Sequence, residues 1–234
     1  MGKIRCALFS GQLKQTTTCD NKKMKYKVKE IYYTLQGEGA HTGRPAVFCR
    51  FTGCNLWSGR EKDRSKAICQ FCDTDFRGTD GPNGGKYTAK ELAEKVAEQW
   101  EAGMNQGKPY VVCTGGEPLL QLDEKMVKAF HKKGIEVAIE TNGTQLPPKG
   151  IDWICMSPKA GADLVLKKGN ELKLVFPQLG AEPELFENLD YEHFYLQPMD
   201  GPNTENNIQL AIKYCLQHPK WRLSLQTHKM INIP

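Results

Sequence analysis

The sequence predicts an α/β fold, an open sheet or partial barrel of mostly parallel strands in one domain, and three observations carry that expectation. Short apolar runs alternate with stretches at helical spacing along residues 27–226, which implies parallel strands joined by right-handed crossovers. At 234 residues the chain is long enough for a single well-buried core. Four strand runs end in polar or glycine-rich segments, at the end of the sheet where such folds place their ligands.

Taken in order, residues 27–33 (KVKEIYY) alternate as an edge strand, and 45–52 (PAVFCRFT) form a second strand bounded by Gly43 and Gly53. Between them TLQGEGAHTG carries Gly37, Gly39 and Gly43. The spacing is not G-x-G-x-x-G and a strand follows, so this is no dinucleotide fingerprint; a hairpin-like turn and a ligand loop both remain open. After the turn-rich 78–85, Thr88 and Glu91 make a capping box for a helix bearing Leu92, Val96 and Trp100 that runs to about residue 101. A strand follows at 110–113, and Asp123 caps a helix through Met126, Val127 and Phe130 that stops at Gly134. Strands at 136–140, 152–156 and 171–176, a helix at 182–189, a strand at 194–197, a helix at 205–216 and a strand at 222–226 complete the pattern.

Composition excludes several classes. The net charge of +5 suggests nucleic-acid binding until it is located: residues 1–30 hold eight basic and two acidic side chains, so the remainder is near neutral and lacks the expected basic excess. Residues 1–23 have no apolar periodicity and read as a flexible N-terminal extension to a core of 24–234, with Met24 a second candidate start. No run approaches a membrane span or a secretory signal, so a cytoplasmic protein with reduced thiols is expected.

Three of the nine cysteines share one loop, C-NLWSGREKDRSKAI-C-QF-C-DTD, as Cys54, Cys69 and Cys72. A structural zinc site closes with four protein ligands, whereas three leave an open coordination position for chemistry. Cys49, Cys113, Cys155 and Cys215 lie on apolar strands or an amphipathic helix and read as small hydrophobes, and Cys6 and Cys19 fall in the extension. The strand ends facing this loop are TGGEP from Thr114, ETNG from Glu140, SPK from Ser157 and QPMD from Gln197. One such end is an ordinary cap; four in register suggest one shared rim.

The three-cysteine loop beside GGEP resembles the radical S-adenosylmethionine (AdoMet) superfamily. The segments YTLQGEG, CRFTGCNLW, CDTDF, CTGGEP, IETNG, SPK, QPMDGP and the terminal QTHKMINIP are similar to the 7-carboxy-7-deazaguanine synthase family over about residues 25–234. The superfamily's usual cysteine spacing is C-x3-C-x2-C, whereas fourteen residues separate Cys54 from Cys69; some members of the narrower family resemble this chain in that insertion.

The resemblance implies a partial (β/α) barrel of the radical AdoMet type with an extended cluster-binding loop. It implies a carbon-nitrogen lyase that contracts the ring of 6-carboxy-5,6,7,8-tetrahydropterin to 7-carboxy-7-deazaguanine with loss of ammonia, AdoMet being used catalytically in queuosine biosynthesis. By the same resemblance Cys54, Cys69 and Cys72 hold a 4Fe-4S cluster, and no residue is assigned as catalytic acid or base. Phe71, Cys72, Asp73, Gly115, Gly116, Glu117, Ser157, Pro158, Lys159, Gln197, Pro198, Met199 and Asp200 would line the AdoMet site. Leu35, Gln36, Gly37, Glu38, Arg50, Thr114, Glu140, His228 and the carboxylate of Pro234 would contact substrate, and the Thr74 hydroxyl would be the protein ligand to Mg2+. Arg50 suits a substrate carboxylate by its planar fork, although a strand-end arginine also serves in surface ion pairs. Glu117 could equally cap its turn.

A homodimer and a flavodoxin-type electron donor are the family expectations for partners, with no nucleic acid and no membrane. Two other readings stand beside this one: an activase that installs a glycyl radical in a partner protein, and a non-enzymatic zinc module with His41 as fourth ligand. Deleting residues 1–23 is expected to leave turnover intact; lost turnover would make the extension part of the working fold.

Overall fold

The computed structural model describes residues 25–103 and 106–234, so the expected extension, Met24, Cys6 and Cys19 lie outside the described residues. The described strands form one nine-stranded sheet in the order β3-β1-β2-β4-β5-β6-β7-β8-β9. These are β1 (Tyr26–Leu35), β2 (Pro45–Phe51), β3 (Gly85–Tyr87), β4 (Tyr110–Gly115), β5 (Glu136–Thr141), β6 (Trp153–Met156), β7 (Lys168–Phe176), β8 (Asp190–Pro198) and β9 (Trp221–Leu223). From β2 through β9 each neighbour pairs in parallel, while β1 runs antiparallel to both β2 and β3. The open parallel sheet is the expected partial barrel.

Among the described residues four α-helices accompany it: α1 (Ala89–Ala102), α2 (Glu124–His131), α3 (Thr204–Gln217) and α4 (Thr227–Met230). The capping box of α1 is present in both directions, Thr88 Oγ1 accepting from Glu91 N and Glu91 Oε2 from Thr88 N. Asp123 caps α2 by accepting from Met126 N, and the same carboxylate oxygen accepts from Tyr26 Oη, tying the helix start to β1.

The core falls into two packed groups. Leu92, Val96 and Trp100 of α1 and Val127 and Phe130 of α2 bury against Val47, Val111, Val112 and Ile139 of β2, β4 and β5. Leu172, Leu174, Phe194, Leu196, Ala211 and Trp221 fill the other end around β7 to β9 and α3. The cysteines read as hydrophobes bear this out: Cys49, Cys113 and Cys155 are buried, and Cys215 is half-buried.

Three expectations are corrected. The helix over 182–189 is only a 3-10 turn, Pro183–Leu185, because Leu185 points to solvent while Phe186 and Leu189 turn inward. The strand expected over 222–226 stops at Leu223. Ser224 Oγ then donates to Gln197 Oε1, and Gln226 Nε2 reaches Glu38. The strand over 27–33 is not the edge, since β3 pairs outside it. Sequence periodicity also did not anticipate β3 or α4, each four residues or fewer and too short to carry a period.

The β1–β2 hairpin settles the open question at the glycines, because it is both a turn and a wall of the site. Gln36 N donates to Arg44 O, and Gly43 N donates back to Gln36 O. From there the turn reaches across to the far half of the sheet, where Gly39 N donates to Ser224 Oγ and Ala40 N to Glu171 Oε2. Gly39 has φ +67 and its missing Cβ would fall 1.8 Å from a Glu171 oxygen, so a side chain there meets both backbone strain and a clash.

Candidate active site

A cavity of about 430 Å³ lies on the concave face, bounded by the carboxyl ends of the parallel strands, the β1–β2 hairpin and the C-terminal segment. Nearly every residue singled out from the sequence lines it. One group is Cys69, Phe71, Cys72, Asp73, Thr74, Gly115, Gly116, Ser157, Lys159, Gln197, Pro198, Met199 and Asp200. A second group is Leu35, Gln36, Gly37, Glu38, Arg50, Thr114, Glu140, His228 and Pro234.

The cysteine loop is an ordered piece of structure. Leu56 and Trp57 are buried, and the guanidinium of Arg64 stacks 4.1 Å from the Trp57 ring while donating to the carbonyls of Gln70 and Cys72. The fourteen-residue insertion therefore folds back and braces the C-x-x-C segment. Cys69 hydrogen-bonds Cys72, which pushes the Cys69 thiol up and lowers that of Cys72 to about 6. Lys159, half-buried, donates to the carbonyl and hydroxyl of Ser157 at 2.8 and 2.6 Å and lies 5.8 Å over the Phe71 ring. Burial pushes its pKa down, opposed by the nearby Cys69 and Cys72.

Glycines 115 and 116 let the β4 end come close to this loop. A Cβ on Gly115, at φ +131, would fall 2.1 Å from Phe51 O, and one on Gly116 would fall 2.2 Å from Gly53 O and 2.8 Å from Cys54 Cβ. Among the described residues no three His, Cys, Asp or Glu side chains are gathered as a single-ion site.

The other half of the cavity is built on charge. Lys173 on β7, with a side chain only 7% exposed, places Nζ 2.6 Å from Glu38 Oε2 and 3.4 Å from Glu140 Oε1. Glu140 also accepts from Gln36 Nε2 at 3.1 Å and Thr114 Oγ1 at 3.2 Å. Burial alone would raise the Glu140 carboxyl, but Lys173 and these donors hold it below the usual range. Arg50 donates from Nε to Glu30 at 2.8 Å and from one Nη to Tyr32 Oη at 2.9 Å, so part of its fork is already engaged on the cavity wall.

The C-terminal segment closes the rim. Thr227 N and Oγ1 both donate to Gly37 O, Thr34 Oγ1 donates to Pro234 O at 2.9 Å, and His228 packs so closely on Gly37 that a Cβ there would fall 2.2 Å from Nδ1. Lys229 Nζ sits 2.6 Å from both Asp73 and Asp200, and Gln226 bridges Glu38 to Asp73. Burial would raise the Asp73 carboxyl, yet Lys229 and Gln226 hold it lowered.

Three expected residues stand apart. Glu117 is wholly buried with both oxygens used, accepting from Thr141 Oγ1, Leu119 N and Asn142 N, so it caps its turn and does not line the cavity. Burial pushes its carboxyl up. Pro158 faces away, its carbonyl accepting from Gln178. Cys54 is half-buried against Gly116, its Sγ accepting from Leu56 N, and does not itself line the cavity. Sequence reasoning missed Lys173, Glu30, Tyr32 and Lys229, all of which line it. A signal for Lys173 was present: ELKLVF sets two charges on alternate positions of a strand, hence on one face, and a central parallel strand buries both faces.

Comparison with known proteins agrees with this geometry. The profile of the radical SAM superfamily matches residues 64–218. Among curated proteins the chain is similar to the 7-carboxy-7-deazaguanine synthases of Caulobacter vibrioides and Bordetella pertussis, each 62% identical over 90% of this chain and 100% of the relative. The Burkholderia multivorans enzyme of that name is 60% identical over the same shares. Among solved structures it is similar to QueE from Escherichia coli, with a TM-score of 0.67, 27% identity, and coverage of 88% of this chain and 95% of that one.

If the two ion pairs of Lys229 hold the C-terminal segment in place, Lys229→Ala will raise amide exchange in residues 226–234 and 72–75 while leaving β4 and β5 protected. Unchanged exchange in both segments would assign the closure to the backbone bonds alone.

Proposed function

Because this chain belongs to the radical SAM superfamily and, within it, to the 7-carboxy-7-deazaguanine synthase family, we propose that its cavity takes 6-carboxy-5,6,7,8-tetrahydropterin beside AdoMet and a 4Fe-4S cluster and contracts the pterin ring with loss of ammonia. The observation that carries this reading is the division of one cavity into a thiol-and-glycine half and a carboxylate-and-arginine half.

The residues fit the groups the family implies. Soft thiols suit iron-sulfur ligation: Cys69 and Cys72 line the cavity and Cys54 stands beside Gly116 at its edge. Gly115 and Gly116 line the cavity where a nucleoside-bearing cofactor would lie and, lacking side chains, let the β4 end pack against Phe51 and Gly53, while the half-buried Lys159 ammonium offers a counter-charge to the cofactor's carboxylate. When bound, cluster and AdoMet would together supply the radical hydrogen-abstraction chemistry, with Cys54, Cys69 and Cys72 the residues that would hold the cluster. The protein holds the substrate in line and excludes water from the reacting face.

On the substrate side, Arg50 keeps donors for the carboxylate, and Glu38 and Glu140 accept from ring N–H groups. His228 and the Pro234 carboxylate lie on the same rim. Thr74 stands between Asp73 and Asp75, whose carboxylates are taken by Lys229 and Lys29. Its hydroxyl thereby suits Mg2+, which favours few protein ligands and otherwise takes substrate and water oxygens. A homodimer and a flavodoxin-type reductant complete the proposal.

Anaerobic reconstitution with iron and sulfide should give a brown protein that converts the carboxytetrahydropterin, and Cys69→Ala should abolish AdoMet cleavage. A colourless protein with tightly held zinc, or retained cleavage in the variant, would sink the reading. Adding a few residues after Pro234 should weaken substrate affinity without lowering that for AdoMet; an unchanged substrate affinity would remove the terminal carboxylate from the site.

A further inference from the structure

Lys173 has no part in the site as the sequence presented it, yet it occupies the centre of the substrate half. Its Nζ lies 2.6 Å from Glu38 Oε2 and 3.4 Å from Glu140 Oε1, and the side chain is almost closed to solvent. Strand geometry puts it there. Leu172 and Leu174 are fully buried on the other face of β7, so the alternate residues Glu171, Lys173 and Val175 turn toward the hairpin and cavity.

We propose that Lys173 is a positioning residue for the substrate: its ammonium draws Glu38 and Glu140 together on one wall, so that both present acceptor oxygens to a neutral, N–H-bearing ring edge. This inference rests on the functional reading above.

The arrangement constrains what the two carboxylates can do. They come from different elements, Glu38 from the hairpin and Glu140 from the end of β5, and Lys173 is the ammonium that contacts both. The other charged or titratable groups facing this trio include Tyr32 from β1, Arg50 from β2, Tyr110 from β4, Cys155 from β6, Glu171 from β7 and Lys159 from the loop after β6. Arg50 places Nε on Glu30 and one Nη on Tyr32, and Lys159 places Nζ on Ser157. Burial alone would strip Lys173 of its proton, but Glu140 and Glu38 outweigh it and hold the pKa well above the ordinary lysine value. Without the ammonium, two carboxyl groups would face each other on a desolvated wall, and one would take up a proton. That converts an acceptor into a donor, which meets a ring N–H with another hydrogen. A cationic ligand is disfavoured for the complementary reason, since Lys173 already supplies the positive charge.

The test compares wild type, Lys173→Met, Lys173→Arg and the charge-balanced K173M/E38Q double variant, each loaded with cluster and AdoMet. At neutral pH the infrared difference spectrum of K173M minus wild type should show the carbonyl band of a protonated carboxylic acid, and that band should be absent from K173M/E38Q. Affinity for the carboxytetrahydropterin should fall at least about tenfold in K173M, equivalent to roughly 1.4 kcal/mol, and recover as pH rises. It should be largely kept in K173R, with AdoMet affinity unchanged throughout. No difference band, or a substrate affinity of K173M equal to wild type with a flat pH profile, would overturn the proposal. Should K173M fail to fold, K173Q, which also removes the ammonium, takes its place in the same comparison: no carboxylic-acid band, or a substrate affinity equal to wild type with a flat pH profile, would exclude the role. A wild-type chain that never turns over the pterin would sink the functional reading instead, with the infrared band remaining the judge of Lys173.

Discussion

An ammonium held almost without solvent is tolerable only where carboxylates come to it, and Lys173 imposes that requirement on everything around the cavity. Glu140 arrives on β5, which the parallel register fixes. Glu38 arrives on a hairpin that must leave the sheet and cross to β7, and it does so through Gly39 in a conformation other residues resist. Gln226 then donates to the second Glu38 oxygen, which draws the end of the chain into the same network. One buried charge thus couples a hairpin, two strands and the C-terminal segment.

Other ion pairs act differently. Lys229 with Asp73 and Asp200 is about 40% exposed, and Lys29 pairs with Asp75 and Asp80, both largely in water. Pairs of that kind contribute about 0–1 kcal/mol each. Their value lies in register: Lys229 aligns the segment after the last thiol with the end of β8, while Lys29 fixes the next turn of the same loop. Backbone bonds such as Thr227 N to Gly37 O hold the same segment beside them and are not screened by salt.

Much of the architecture was legible in the sequence because it rests on local periodicity. Thr88 and Glu91 signal a helix start in any context, and the buried runs at 45–52 and 110–113 read as strands before any partner is known. The helix expected over 182–189 failed because Leu185 and Phe186 look alike as apolar residues but part company, one to solvent and one to the core. Glu117 carried two readings for a similar reason: a carboxylate beside a glycine pair suits a ligand or a cap, and only the position of Asn142 N and Thr141 Oγ1 chooses between them.

By itself the sequence determined that this is an α/β chain with three thiols on one loop, polar strand ends to face them, and a resemblance tied to those motifs. These are properties of residue type and spacing. Only the tertiary structure decided that Lys173 joins Glu38 to Glu140, that Glu117 turns away, that Lys229 spans Asp73 and Asp200, and that Cys54 stands back against Gly116. Charged side chains far apart in sequence carry no periodic signal, and their pairing depends on distances that exist once the sheet has brought its strands into register.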